Sequence, residues 1–454
     1  MVQEMDLQKL DMELAIKPWT ALPQEAYVLT GANLIDPLQG QVIKNATIRI
    51  EGGLVTEVSE QEHTRPTTND GTTVIDARGK YILPGLIDCH VHIMAVAGNA
   101  GMNETFHMDH STSLLRQPSL CQGMLDRGFT SVRDCAGATP AMRQAIEDGV
   151  HPGPRLFIAG KGLSQTGGHG DLRKAHDSRG ICCACGAGGH DMTRVVDGVP
   201  DCLKYAREEL RRGADFIKIM SGGGVASPTD RIDQVQFSDE EIKAIVTVAT
   251  NARTYVTSHA YTPQAIQQAI SHGVRGIEHG NLLDEETARL MASKGVFLTP
   301  TLVVYATMAR PEFSGFLPPF SAQKNREVLE SGLRALKIAT DAGVTICFGT
   351  DLLGPMHPAQ TNEFVIRSQV QTPLQIIQSA TVNAARLIQR EETLGRIAPG
   401  FLADFLILNA NPLEDIAVLD RPDQHLLATI KDGRVVSSRW SRLEVKQRRL
   451  SNIA

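Results

Sequence analysis

The chain has 454 residues, 42% hydrophobic and 21% charged, with a net charge of −6. That is an ordinary globular composition, too long for one compact core and pointing to a large domain with a smaller companion. The acidic balance argues against nucleic acid or an anionic membrane as partner, and no apolar run approaches the ~20 residues of a membrane-spanning helix.

The N-terminal stretch 1–25 is acidic and amphipathic, without a basic segment leading into an apolar one. It reads as a helical arm rather than a signal peptide. The eight cysteines at 89, 121, 135, 182, 183, 185, 202 and 347 are scattered. They form no disulfide framework and suit a reducing, cytoplasmic setting.

From residue 26 to 80, short β-rich runs (YVLTGANLID, ATIRIEGGLVTEV, TTVIDARG) alternate with Gly-containing turns. The same texture returns over 400–440, where Asp432-Gly433 is a hairpin signal. Both ends are therefore expected to build one small β-sandwich-like domain, with a tail over 441–454. Between them, 81–399 alternates strand and helix. Candidate strands are 82–88, 129–133, 155–159, 215–220, 254–259, 274–278, 296–300 and 344–349. Candidate helices are 139–148, 200–212, 238–252, 262–272, 284–294, 321–342 and 373–389. Ser238 with Glu241 makes a capping box, and Thr262-Pro263 opens a helix. Eight such repeats predict an α/β fold with a (β/α)8 barrel; periodicity alone leaves a doubly wound open sheet as the alternative. Two stretches, 161–199 and 305–322, interrupt the alternation and read as long loops.

The chemistry-bearing residues sit at the ends of the apolar runs. LPGLIDCHVH (83–92) closes the first with His90 and His92, two apart and so facing one way on a strand, able to share one ion. The alternative is a polar strand end with two surface histidines. Lys218 lies inside the apolar strand FIKIM, where a charge is expensive. It is either salt-bridged or carbamylated on its amine, giving a carboxylate that can bridge two metals. His259 ends TYVTSH, His279 ends RGIEH, and Asp351 follows VTICFGT. Each alone reads as a satisfied core group or a loop cap. Together they place HxH, Lys, His, His and Asp at the ends of strands one, four, five, six and eight, the distribution a barrel active site requires. Cys182, Cys183, Cys185 and His190 lack a second paired cluster, so a flexible loop is preferred there over a structural zinc. The run Gly222-Gly223-Gly224 has neither flank of a nucleotide loop.

These motifs, with SHAYTPQAI (258–266), GIEHGN (276–281), FGTDL (348–352), APGFLADFLIL (398–408) and NPLEDI (411–416), make the chain resemble the metal-dependent amidohydrolase superfamily over nearly all of 26–440. SQTGGHGD (164–171) and the lysine-bearing strand draw it towards the imidazolonepropionase-like branch, which includes Xaa-Pro dipeptidases and ochratoxinase-type amidases. The resemblance implies two divalent ions, with zinc expected. His90, His92 and Asp351 would bind one, His259 and His279 the other, and carbamylated Lys218 would bridge them. A hydroxide held between the ions would attack an amide carbonyl, and Asp351 would carry its proton to the leaving nitrogen. His169 and Tyr261 would lie near the substrate. The implied partner is a small amide or dipeptide next to a C-terminal amino acid, and the implied assembly a homo-oligomer. A deaminase, a cyclic-amide hydrolase and a phosphotriesterase-like enzyme remain as rivals, with a catalytically silent scaffold as the non-enzymatic reading.

Overall fold

A computed structural model describes residues 17, 19, 24–60, 71–98, 100–177 and 192–445. Most of the expected arm, the tail beyond 445 and the cluster Cys182, Cys183, Cys185 and His190 lie outside the described residues.

The two chain ends share one eight-stranded sheet. Its N-terminal strands are β1 (Tyr27–Asp36), β2 (Gln41–Glu51), β3 (Leu54–Ser59), β4 (Thr73–Asp76) and β5 (Tyr81–Pro84). Its C-terminal strands are β16 (Phe405–Leu408), β17 (Leu426–Lys431) and β18 (Arg434–Ser438). The order is β18-β17-β16-β5-β1-β2-β3, with β4 beside β1. Hydrogen bonds from Val55 N–H to Phe401 C=O and from Ala403 N–H to Gly53 C=O bring β3 back beside the start of β16. The sandwich-like packing is thus one sheet folded over its own core, in which Leu29, Ile48 and Ile50 meet Phe405, Ile407 and Ile430. The expected strand 82–88 is divided. Tyr81–Pro84 pairs with β1 and β16, and only from Leu86 does the chain enter the barrel, so the boundary expected at residue 81 falls inside the terminal sheet.

The barrel strands are β6 (Leu86–Val91), β7 (Phe129–Asp134), β8 (Arg155–Ile158), β11 (Ile217–Met220), β12 (Val256–Ala260), β13 (Gly276–His279), β14 (Phe297–Thr299) and β15 (Thr345–Ile346). The short β9 (Gly162–Ser164) and β10 (Thr193–Val195) extend the β11 side. All neighbouring pairs are parallel. Past β15 the chain returns to β6, where Cys89 N–H donates to Phe348 C=O at 2.8 Å and Asp351 N–H to His90 C=O at 2.7 Å. Across the other seam Asp215 N–H donates to Ile158 C=O. These contacts join the two parallel sheets as a barrel rather than an open sheet.

The helical caps follow the sequence. Ser238 and Glu241 form the expected capping box, and Thr262 caps the helix beginning at Pro263. Two expectations are corrected, and one helix is added. The expected helix 373–389 breaks at Ala380-Thr381, because the carbonyls of Ser379 and Ala380 turn out to accept from Phe348 and Ile87 on the barrel wall. The expected loop 305–322 is largely helical, since Leu302–Met308 buries Val303, Val304 and Tyr305 and a second helix starts at Pro319. The helix His110–Asp126 was not anticipated. Its buried face mixes Ser113 and Gln117 with Cys121, Met124 and Leu125, and Pro118 lies inside it, so no clean apolar stripe marks it. Among the described residues no helix is long and apolar enough to cross a membrane.

Candidate metal and active site

The fold gathers the six expected residues in one buried chamber at the C-terminal ends of the barrel strands. Asp351 Oδ1 lies 3.1 Å from His92 Nε2 and 3.4 Å from His90 Nε2. Ligating atoms of His90, His279 and Asp351 all lie within 4.8 Å of one another. The His259 and His279 rings are 4.5 Å apart, and His279 is 5.0 Å from His90. Lys218 is 2% exposed. Its charge acts on His90, His259, His279 and Asp351.

Local backbone geometry explains how these groups meet. His90 and His92 share parity at the end of β6. In register, Lys218 lies opposite Thr257 and Met220 opposite His259. His279 and Asp351 both have positive φ, 75° and 56°. Such a bend is rare for a residue with a Cβ and marks functional sites. At His279 it breaks strand alternation, so that the consecutive Glu278 and His279 both serve the chamber.

Three imidazoles are held from behind through one nitrogen, leaving the other for the chamber. His90 Nδ1 lies 2.8 Å from Glu278 Oε2, His92 Nδ1 3.0 Å from the Ala136 C=O, and His279 Nδ1 2.8 Å from Thr301 Oγ1. This is how metal-binding histidines are oriented. In His259 the Nε2 is the occupied nitrogen, 3.1 Å from the Gly223 C=O. Burial pushes His90 down to about 4, and burial with neighbouring His and Lys218 charges pushes His259 and His279 well below the usual value. They are therefore neutral at physiological pH, the ligating form. Burial alone would raise Asp351, but the adjacent His90 and His92 bring it down to about 2, so it is ionised. At His92 burial pulls down, but the Asp351 carboxylate raises it above the usual value. Three neutral imidazoles and His92 around a carboxylate, with a buried lysine beside them, are a donor set that fits divalent metal.

The two residues expected near the substrate flank this centre. His169 stacks on His259 with centroids 4.1 Å apart, and its Nδ1 is 2.9 Å from Ser227 Oγ. Tyr261 meets His259 edge-on, but its hydroxyl is not free: it lies 2.9 Å from the Tyr305 hydroxyl.

Sequence reasoning missed the residues behind these. Glu278 joins His90 to Arg133, whose Nη2 lies 2.6 Å away. Asp230 accepts from Ser227 Oγ, from Gln236 Nε2 and from Lys324, while Gln236 Oε1 takes the backbone N–H of His169. One buried carboxylate thus anchors the Gly-rich loop. The available signal was a polar residue inside an apolar strand at Arg133 and Glu278; for Asp230 and Tyr305 no pattern marked them.

The Amidohydrolase family profile matches residues 81–436. Ochratoxinase of Aspergillus niger is 32% identical over 406 residues, covering 86% of this chain and 83% of that protein. A crystal structure of a prolidase complexed with N-methylphosphonate-L-proline superposes with a TM-score of 0.86 at 43% identity, covering 91% of this chain and all of that one. A Xaa-Pro dipeptidase with bound methionine superposes with a TM-score of 0.80 at 30% identity, over 90% of this chain and 99% of the other.

Proposed function

The chain belongs to the amidohydrolase family and is a hydrolase of amide or peptide C–N bonds; from that premise we propose a binuclear metal-dependent enzyme that cleaves the amide next to a C-terminal amino acid, in a dipeptide or an N-acyl amino acid. The observation that carries the reading is the convergence of His90, His92 and His279 on the ionised Asp351, with each imidazole tied back through Nδ1.

His90, His92 and Asp351 would hold one ion, His259 and His279 the other, and carbamylated Lys218 would join them. Zinc suits these donors. Divalent ions there would activate water and polarise the scissile carbonyl. Lys218 suits carbamylation because it is a buried amine among metal-type ligands, where a carboxylate in its place could hold cations. Asp351 is the most exposed of the ligand set, its side chain 19% accessible, and it opens onto the chamber. It accepts a proton from the attacking water and returns it to the leaving nitrogen. His169 and Tyr261 line the approach and hold the part of the substrate that leaves.

The likeness to a prolidase, a Xaa-Pro dipeptidase and ochratoxinase supports a substrate whose leaving group is an amino acid. The test is elemental analysis of active protein, followed by a screen of dipeptides, N-acyl amino acids and cyclic amides. Two metals per chain and release of a free amino acid are expected. Active protein with only trace metal, or turnover confined to cyclic amides, would overturn the proposal.

A further inference from the structure

Behind His279 lies a chain of hydroxyls of which only Tyr261 lies in a sequence motif. Its Nδ1 has two oxygen neighbours, Thr301 Oγ1 at 2.8 Å and the Tyr305 hydroxyl at 3.0 Å. The Tyr305 hydroxyl is in turn 2.9 Å from that of Tyr261. Thr301, Tyr305, Tyr261 and His279 are all buried. Tyr305 is fixed by its own short helix and by Asn325, whose Nδ2 donates to the Tyr305 C=O at 3.1 Å. The Asp351 charge acts on both phenols, and the Tyr261 ring lies 5.4 Å from His279, so the pair belongs to the wall of the same chamber.

We propose that Tyr305 is a positioning residue that couples metal occupancy at His279 to the direction of the Tyr261 hydroxyl, so that bound metal selects the arrangement in which Tyr261 offers its proton to the substrate. The inference rests on the reading of His279 as a metal ligand and deepens it.

Proton counting carries the argument. A neutral imidazole has one N–H. When Nε2 gives its lone pair to an ion, the proton must be on Nδ1, so Thr301 and Tyr305 can only accept there. The Tyr305 proton is then turned away from Nδ1; Thr301 Oγ1, also in its reach, already takes the Nδ1 proton, and the Tyr261 oxygen at 2.9 Å is the acceptor left without one. Tyr261 cannot donate back along the same line, and its own proton is released towards the chamber. With Nε2 free, the other tautomer is allowed: Tyr305 donates to Nδ1, Tyr261 donates to Tyr305, and no donor is left over. No proton is gained or lost between the two states; only the bond directions reverse. A donor phenol suits an anionic oxygen, which is what an amino-acid leaving group presents in its carboxylate.

The chain holds six tyrosines, few enough for near-ultraviolet difference absorption to follow hydroxyls that change from donor to acceptor. Metal-free protein in bicarbonate buffer is titrated with Zn2+ alone. In wild type a tyrosine difference band should grow and saturate with metal. Tyr305→Phe should bind Zn2+ within about threefold of wild type, because Thr301 still takes the Nδ1 proton; complete loss of an outer partner costs about 10–100-fold. Its tyrosine band should fall to half or less, and the band of Tyr261→Phe should fall likewise. On a free-acid amide substrate, Tyr261→Phe, Tyr305→Phe and the double variant should lose kcat/KM to the same extent, since residues acting as one chain are not additive. A full band in Tyr305→Phe, no band in wild type, or losses that multiply in the double variant would each overturn the coupling. A normal band in protein that hydrolyses no amide would sustain the coupling and reject the proposed function.

Discussion

The Glu278 carboxylate takes the Nδ1 proton of His90 at 2.8 Å, in the barrel interior where neither side chain reaches solvent. Burial would raise Glu278, but Arg133 and His90 hold it well below the usual carboxylate range, so it is a fixed negative charge behind a metal-type histidine. Glu278→Gln should weaken Zn2+ binding about 10–100-fold, the usual cost of an outer partner. It also leaves Arg133 uncompensated, for a stability loss of about 3–5 kcal/mol. Chelator competition and denaturant unfolding on the same variant measure the two effects. Unchanged metal affinity with reduced stability would make Glu278 only a counter-ion for Arg133.

Lys218 gives a sharper chemical test. Lys218→Ala should lose bridged metal and activity, with partial recovery in a short carboxylic acid that replaces the missing carboxylate. Lys218→Arg cannot form a carbamate. Full activity in that variant would exclude the bridge.

Asp351 is already ionised and touches two imidazoles, so its substitution should act on turnover more than on substrate binding. Asp351→Asn should lower kcat by about 100-fold or more, the scale of general acid–base catalysis, with KM changing far less. A change confined to KM would contradict the role.

The six candidate ligands could be picked from the sequence because each is a chemically unusual residue at the end of an apolar strand, and barrel topology sends all such ends to one face. Their supports could not be picked. Asp230 reaches His169 through Ser227 and Gln236, and Tyr305 reaches His279 from a helix that was expected to be loop. Those pairings exist only once long-range packing is set. The same holds for the strand at 82–88: its apolar run is continuous, and only pairing with β1 and β16 splits it at Gly85. Gly85 allows the split because a Cβ there would meet Thr130 Oγ1 at 2.1 Å.

Arg155, on β8, ties the barrel to the terminal sheet through Asp404 at 2.6 Å and through Asp432 in the β17–β18 turn. Arg155→Met strands both carboxylates and should cost about 3–5 kcal/mol, the usual loss when one partner of a buried pair is removed. Asp432 adds a pH signature. Burial would raise its carboxyl, but Arg155 and Lys431 hold it below the usual value. A depressed carboxylate contributes stability that is present above its unfolded value, near pH 3.9, and lost as pH falls through the folded one. Asp432→Asn should therefore be less stable than wild type at neutral pH, with the gap closing below about pH 4. A gap that stays constant across that range would rule out the ion pair as its source.

The free carboxylate of the substrate is the most consequential prediction. Tyr261 follows ligand candidate His259 by two residues and meets it edge-on at 4.8 Å, immediately before the helix capped by Thr262. His169 stacks on the same imidazole at 4.1 Å, so both residues border the same candidate ligand. The competing view is that Tyr261 only packs on the rim, with its hydroxyl satisfied by Tyr305. The two views differ in what a substrate carboxylate is worth. A hydrogen bond to a charged group contributes ~1.5–3 kcal/mol. Converting the carboxylate of one good substrate to its amide should therefore cut kcat/KM by about 10- to 150-fold, each 1.4 kcal/mol being tenfold. Tyr261→Phe should erase much of that preference while leaving the amidated substrate nearly unaffected, because the lost donor served only the carboxylate. Equal rates for acid and amide on wild type, or a preference that survives intact in Tyr261→Phe, would return Tyr261 to a packing role.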